Sequence, residues 1–204
     1  MTSYQPTRAG LIPGRLPRRP AAITALQLAF LAWAAVELAA GRTGNAVALV
    51  AVFAVLQVPR LLRLPVLFDV AFLVAWTLQE LGQVAGFWSR FPWWDTLVHT
   101  ALPAVLAPTA VILLIRAGAL PDVLKPAGRI QALGAVMLVF LVAAGFGSVY
   151  EIYEWFSDLH FGTHYQPDNF DTMTDMTANV LGGLAGGVLL VAAVGRRRRE
   201  DPPA

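Results

Sequence analysis

The 204-residue chain is 57% hydrophobic and only 14% charged, with a mean hydropathy of +0.60 and a formal charge of +2. That balance excludes an ordinary water-soluble domain of this length, which would carry more charge and shorter apolar runs. There is no cysteine, so disulfides and thiolate chemistry are excluded as well.

Apolar stretches close to the roughly 20 residues that cross a bilayer as a helix recur along the chain. Six are expected, at about Ala21 to Ala40, Asn45 to Val58 or Leu64, Val66 to Ala85, Thr96 to Ile115, Ile130 to Tyr150 (with a continuation to Trp155) and Asp171 to Val194. Several are apolar on every face, which suits lipid better than the water-facing surface of a soluble bundle. The second has the shortest uninterrupted apolar part and depends on Arg60 and Arg63 reaching back to the interface. The first is too long for a signal-peptide core and lacks a cleavage site, so it is read as a mature helix. The fold class expected is therefore all-α: a polytopic transmembrane helical bundle with a single six-helix membrane domain over residues 21–195. The Pro/Arg-rich residues 1–20 read as a mobile N-terminus, and 196–204 as a basic tail.

Charge orients the bundle. With six spans, thirteen of the fifteen basic residues fall on one side, and only Arg42 and Arg90 on the other. Positive loops stay in the cytoplasm, so both termini are expected there. The Arg196 to Arg199 run, beside a membrane helix, reads as a topology signal or an anionic-lipid contact rather than a nucleic-acid site.

The acidic residues then sort to the outer side. Residues 150–183 hold six carboxylates and two histidines, with no lysine or arginine. Asp95 and His99 are four apart, Glu151 and Glu154 three apart, and Asp171, Asp175 and Asn179 repeat every four, so each set shares a helix face. Glu37 and Glu80 also lie in outer halves of spans, and His160 and His164 in an outer loop. Carboxylates near hydrocarbon are costly, about 2.5–3.5 kcal/mol each at the bilayer centre and less toward the interface. Crowded together they protonate or share a cation. A divalent metal (Zn, Mn, Fe or Mg) is the simplest compensation for an oxygen-rich set with one or two imidazoles.

Duller roles stand beside these. Asp95 and Asp171 also suit helix N-caps. His99 alone fits a hydrogen-bonded core histidine, and Glu154 beside Trp155 fits the headgroup level. Trp88, Trp93 and Trp94 read as an interfacial belt. Gly182, Gly183, Gly186 and Gly187 form overlapping small-xxx-small patterns that admit a close neighbouring helix.

The segments "WWDTLVH", "YEIYEW" and "GTHYQPDNFDTMTDM" resemble the YjdF-like family of bacterial inner-membrane proteins. Asp95 and His99, then Glu151, Glu154 and Trp155, then Asp171, Thr172, Asp175 and Met176 carry the likeness. More distantly, the Asp-x-x-x-His pair, the Glu-x-x-Glu element and Asp175, Asn179 and Gly182 look like VanZ-like membrane proteins. The likeness spans about Trp88 to Leu190 and implies a small multi-pass protein of the bacterial inner membrane. The VanZ-like resemblance adds an association with the cell envelope and low-level glycopeptide-antibiotic resistance, and neither likeness implies a settled reaction.

Three functions follow from these residues. The first is an outward-opening metal site acting on an envelope lipid or lipid-linked substrate, with Asp95, His99, Asp171 and Asp175 as ligands. Glu151 or Glu154 would serve as a further ligand or as general base, and Asn179 would orient a ligand or the headgroup. The second is a cation- or proton-coupled transporter, which would need polar residues in the inner halves of the spans, where Gln27 and Asp69 stand. The third is a non-catalytic scaffold with an acidic rim.

Overall fold

The computed structural model describes residues 19–124 and 128–200, with the side chains of 196–200 excepted. The expected mobile N-terminus lies outside the described residues apart from its last two. The described residues form α1 (Ala21–Ala39), α2 (Thr43–Val55), a short α3 (Val58–Leu61), α4 (Val66–Gln83), a short α5 (Phe87–Arg90), α6 (Trp94–Arg116), α7 (Arg129–Phe161) and α8 (Asn169–Glu200). No strand occurs among them.

Five helical segments are long and apolar enough to cross a membrane: Ala21–Ala39, Thr43–Leu61, Trp94–Arg116, Arg129–Phe161 and Asn169–Gly195. The second of these joins α2 and α3, so the stretch with the weakest apolar signal does reach spanning length. Helix α4 is not among the five, because Asp69, Gln79, Glu80 and Gln83 dilute its 18 residues. Helix α7 runs beyond the span expected to close near Tyr150 or Trp155. Its 33 residues extend roughly 50 Å at 1.5 Å per residue, well over the hydrocarbon thickness. Nothing between Glu151 and Phe161 breaks a helix, and the stop comes at Gly162, whose left-handed φ of 66° is the usual C-terminal signal. Helix α8 likewise continues through Glu200, into the stretch set apart as a tail.

The described residues pack as two compact units, one ending at Trp94 and the other starting at Asp95. In the first, α1 lies against α2, and α4 meets α1, α2, α3 and α5. Several buried polar groups here are paired locally, while Glu80 is buried with Oε2 lacking a hydrogen-bond partner. Arg19 pairs with Asp69 at 3.0 Å, both side chains nearly inaccessible, and also donates to the Leu64 carbonyl at 2.9 Å. Gln27 donates to the Leu56 carbonyl at 3.0 Å. The Arg42 guanidinium grips the Glu37 carboxylate through Nε and Nη2, and Asn45 adds a third donor. Trp94 is buried and donates its indole N–H to the Leu78 carbonyl at 3.1 Å, within a cluster of Phe87, Phe91 and Trp93. It therefore belongs to the core of this unit, and of the tryptophans read as a belt only Trp93 is strongly exposed.

In the second unit α8 is held between two neighbours at close range. A β-carbon at Gly182 or Gly186 would fall on the carbonyls of Thr100 or Ala104 in α6. On the adjacent face, Gly183 and Gly187 lie against Ala143 and Val136 of α7. Residue numbers rise together along α6 and α8 and oppositely along α7 and α8, so α8 runs parallel to the first and antiparallel to the second. This is close helix packing through small residues, which lipid-embedded helices use because van der Waals contact must hold them together.

Gly186→Leu should therefore lower the unfolding temperature of detergent-solubilised protein, by about 1–3 kcal/mol of stability for overpacking. Gly145→Ala should leave it unchanged or raise it, because nothing stands within 4 Å of a methyl there. Equal melting curves for the two variants would contradict the packing described.

Candidate metal centre

Three buried stripes lead to the site. Along α7 the inward residues are Ala135, Val139, Ala143 and Gly147, and then Glu151 and Glu154. Small side chains let α8 approach, and the same face turns acidic one helical turn later. Along α8 the inward face carries Asp175 and Asn179 before the glycines begin. Asn179 sits over Gly147, where any β-carbon would collide with its amide. Along α6 the corresponding residues are Asp95 and His99, two turns and one turn before Pro103. Having no N–H, Pro103 cannot donate to the His99 carbonyl as residue i+4 of a helix normally does.

These stripes converge. His99 Nε2 lies 3.5 Å from Asp95 Oδ1 and 4.0 Å from Asp175 Oδ2. One ligand atom from each of Asp95, His99 and Asp175 lies within 4.8 Å of the others. Donors bound to one ion at about 2.0–2.2 Å sit some 3–4 Å apart, so small side-chain shifts would suffice to share a cation. His99 is 8% exposed and Asp175 2%, whereas Asp95 is half-buried at the rim. Asp175 Oδ2, Glu151 Oε1 and Asn179 Nδ2 are buried with no hydrogen-bond partner. The charges of Asp95, Asp171, Glu151 and Glu154 all act on Asp175, so the group is a single electrostatic cluster. Within this unit the arginines and lysine of the sequence lie only at Arg116, Lys125, Arg129 and beyond Val194, far along the chain from every one of these acids.

The expected site residues do not all have one standing. Asp95, His99 and Asp175 form the tight set. Glu151, Glu154 and Asn179 are buried, and the charges of both glutamates act on Asp175. Asp171 is one turn outward from Asp175 and half-buried. It does not cap α8: Asp168 does, accepting from the backbone N–H of Phe170 at 2.9 Å and of Asp171 at 3.0 Å. Asp95 is likewise inside the first turn of α6 rather than before it. His160 is not in a loop but on the last turn of α7, exposed and against Phe156. His164 is in the loop and exposed.

Sequence reasoning passed over Tyr150 and Gln166. Tyr150 meets the His99 ring edge-on at 5.6 Å. Gln166 donates to the Glu151 carboxylate at 2.8 Å and to its carbonyl at 3.0 Å. Their only sequence signal is proximity to the acidic motifs; the 15-residue separation of Gln166 from Glu151 matches no helical or strand period.

An independent comparison agrees with this membrane architecture. Residues 19–197 match the family described as predicted membrane protein (DUF2238). The chain belongs to that family. No curated protein and no solved structure matches it. The match takes in α1 through α8 up to the start of the arginine run, so both units of this DUF2238 protein lie within the family's extent. The YjdF-like likeness of Asp95, Glu151, Asp175 and their neighbours is compatible with that membership.

Removing the α8 cap should be felt at the mouth of the cluster. Asp168→Ala is expected to cost about 1 kcal/mol of stability, in line with other lost N-caps. Asp171→Ala should cost less in the same thermal denaturation assay, since Asp171 accepts no cap bond from its own helix's N–H groups. A larger loss at Asp171 would contradict the cap assignment.

Proposed function

We propose that this DUF2238 protein binds a divalent cation through Asp95, His99 and Asp175, with Asp171 as the fourth candidate ligand, and acts on an envelope lipid or lipid-linked substrate. The observation that carries the proposal is Asp175. Its buried Oδ2 has no hydrogen-bond partner, stands 4.0 Å from His99 Nε2, and faces a second carboxylate at the same imidazole. A buried carboxylate without a partner is costly, and a shared cation removes that cost. Two carboxylates and one imidazole suit Zn, Mn, Fe or Mg. With Asp95, His99 and Asp175 alone as protein ligands, a coordination position would stay open for water or substrate, the pattern of catalytic rather than structural metal sites; Asp171 as a fourth ligand would fill it in a four-coordinate site. The cation would lower the pKa of a bound water and polarise a phosphoryl or acyl oxygen. Glu151 and Glu154 are the candidate bases, and Asn179 is placed to orient a headgroup.

Topology completes the proposal. We take α4 as a sixth span and both termini as cytoplasmic, because that arrangement alone puts thirteen of fifteen basic residues on one side. The cluster then opens outward from the bacterial inner membrane. A transporter is less well supported. The inner polar residues it would use are occupied, Asp69 by Arg19 and Gln27 by the Leu56 carbonyl. A scaffold with a flat acidic rim fits poorly with side chains as buried as Glu151, Glu154 and Asp175.

Elemental analysis of protein purified from its own membrane should find about one divalent metal per chain, in keeping with the one such cluster among the described residues. Asp175→Asn should lose the metal while keeping its melting transition, and lipid mass spectrometry should find a co-purifying lipid or lipid-linked molecule. Metal-free wild-type protein that takes up none on addition of Zn2+ or Mn2+ would end the proposal. For orientation, a cysteine at His164→Cys should react with a membrane-impermeant maleimide in intact cells, and one at Thr2→Cys should not. The reverse pattern would invert the topology.

A further inference from the structure

The loop between α7 and α8 is built around one carboxylate. Asp158 accepts from the Thr163 hydroxyl at 2.6 Å, the Tyr165 N–H at 2.9 Å and the Gln166 N–H at 2.9 Å. Gly162, in the left-handed region, turns the chain back over the end of α7 so that these donors can reach Asp158. The loop backbone is thereby fixed at Gln166, whose side chain reaches Glu151. One amide nitrogen serves both the Glu151 carbonyl and its Oε2. Glu151 is 5% exposed and its other oxygen, Oε1, is buried without a partner. Glu151 is close enough to Asp95 and Asp171 to feel their charges. It nevertheless stands outside the set of three whose ligand atoms gather within 4.8 Å.

A free carboxylate beside a divalent cation is drawn into its coordination sphere. Holding one back requires an anchor on the carboxylate itself, which is what outer-shell hydrogen bonds supply around metal sites. Resting on the metal-site proposal above, we infer that Gln166 is a positioning residue that keeps Glu151 out of the ligand set and directs it to act on a metal-bound water. The chemistry of an amide fits that task. Its N–H orients the carboxylate but brings no net charge, so Glu151 keeps its capacity to accept a proton. A lysine or arginine at the same place would hold Glu151 equally well and neutralise it. Glu154, the other candidate base, accepts no such hydrogen bond from the described residues of the loop, whereas Glu151 has one oxygen tied by Gln166 and the other buried without a partner. Asp158 acts one step further out, by fixing the backbone that carries Gln166.

Cobalt(II) is the probe, because its visible absorption weakens as coordination number rises and so reports an added ligand. Full-length protein in detergent is titrated with Co2+ as wild type, Glu151→Gln, Gln166→Ala, Gln166→Met, the double variant Gln166→Ala/Glu151→Gln, and Asp175→Asn, each checked for a wild-type melting transition. The expected result has three parts. Glu151→Gln retains the wild-type spectrum and binds Co2+ within about tenfold of wild type, the lower end of outer-shell effects. Gln166→Ala or Gln166→Met changes the spectrum, as Glu151 swings onto the metal. The double variant returns it to the wild-type form, which a loss of mere structural support would not do. The inference is overturned if Glu151→Gln loses Co2+ as Asp175→Asn does, if neither Gln166 variant alters the spectrum, or if the alteration persists in the double variant. Wild-type protein that binds no Co2+ is a separate outcome: it removes the metal site itself, and the role of Gln166 with it.

Discussion

The approach of α8 to α6 on one side and α7 on the other fixes everything at the candidate centre. Gly182 and Gly186 lie against carbonyls of α6, and Gly183 and Gly187 against the backbone of α7. Larger side chains at these positions would push the helices apart, toward the usual 8–10 Å or beyond, and would shift the carboxylates of α8 relative to the imidazole of α6. With glycine at the crossing, Asp175, less than two turns before Gly182, comes within 4.0 Å of His99 Nε2. Gly147 plays the same part on α7, making room for Asn179 and setting Glu151 one turn beyond it. The small-residue stripe and the acidic cluster are thus two parts of one device.

The unit ending at Trp94 meets two of its buried acids with bases, although a third, Glu80, is buried with Oε2 lacking a hydrogen-bond partner. In the unit ending at Trp94, Glu37 is met by Arg42 and Asn45, and Asp69 by Arg19. These pairs lie at helix ends and loop turns, where they satisfy the acids and tie neighbouring segments together. Breaking such a pair is expensive, but replacing it entirely by apolar groups often is not, so the pairs are read as structural. Among the described residues of the unit starting at Asp95, the ion pairs of the clustered acids go only to His99, and a half-satisfied cluster remains. Unfavourable buried polar groups persist where function requires them.

Much of this was legible in the residues. The apolar runs marked out the helices, with their starts within a few residues and the ends of α7 and α8 six residues or more short, and the four-residue spacings placed Asp95 with His99 and Asp175 with Asn179. Where the sequence misled, a local signal had more than one meaning. Asp171 and Asp168 are both acids at the start of α8, and only the backbone geometry decides that Asp168 caps it. Trp94 has an interfacial neighbour, Trp93, but its indole turns inward to Leu78. The end of the hydrocarbon at Tyr150 resembled the end of a helix, yet α7 continues until a left-handed glycine stops it. Gln166 gave no warning at all, since a loop residue acquires its partner through the path of the chain.

By itself, then, the sequence determined an all-helical, lipid-compatible chain with its basic residues segregated from a set of acids. Composition and periodicity act locally, on length, hydropathy and helix face, and those properties survive without knowledge of neighbours. Only the tertiary structure decided which acids meet. It gathered Asp95, His99 and Asp175, buried Glu151 and Glu154 where their charges act on Asp175, left Asp171 further out, and brought Gln166 onto Glu151. Those outcomes depend on distances between helices, which side-chain size at a few glycine crossings sets and which no spacing along a single helix can encode.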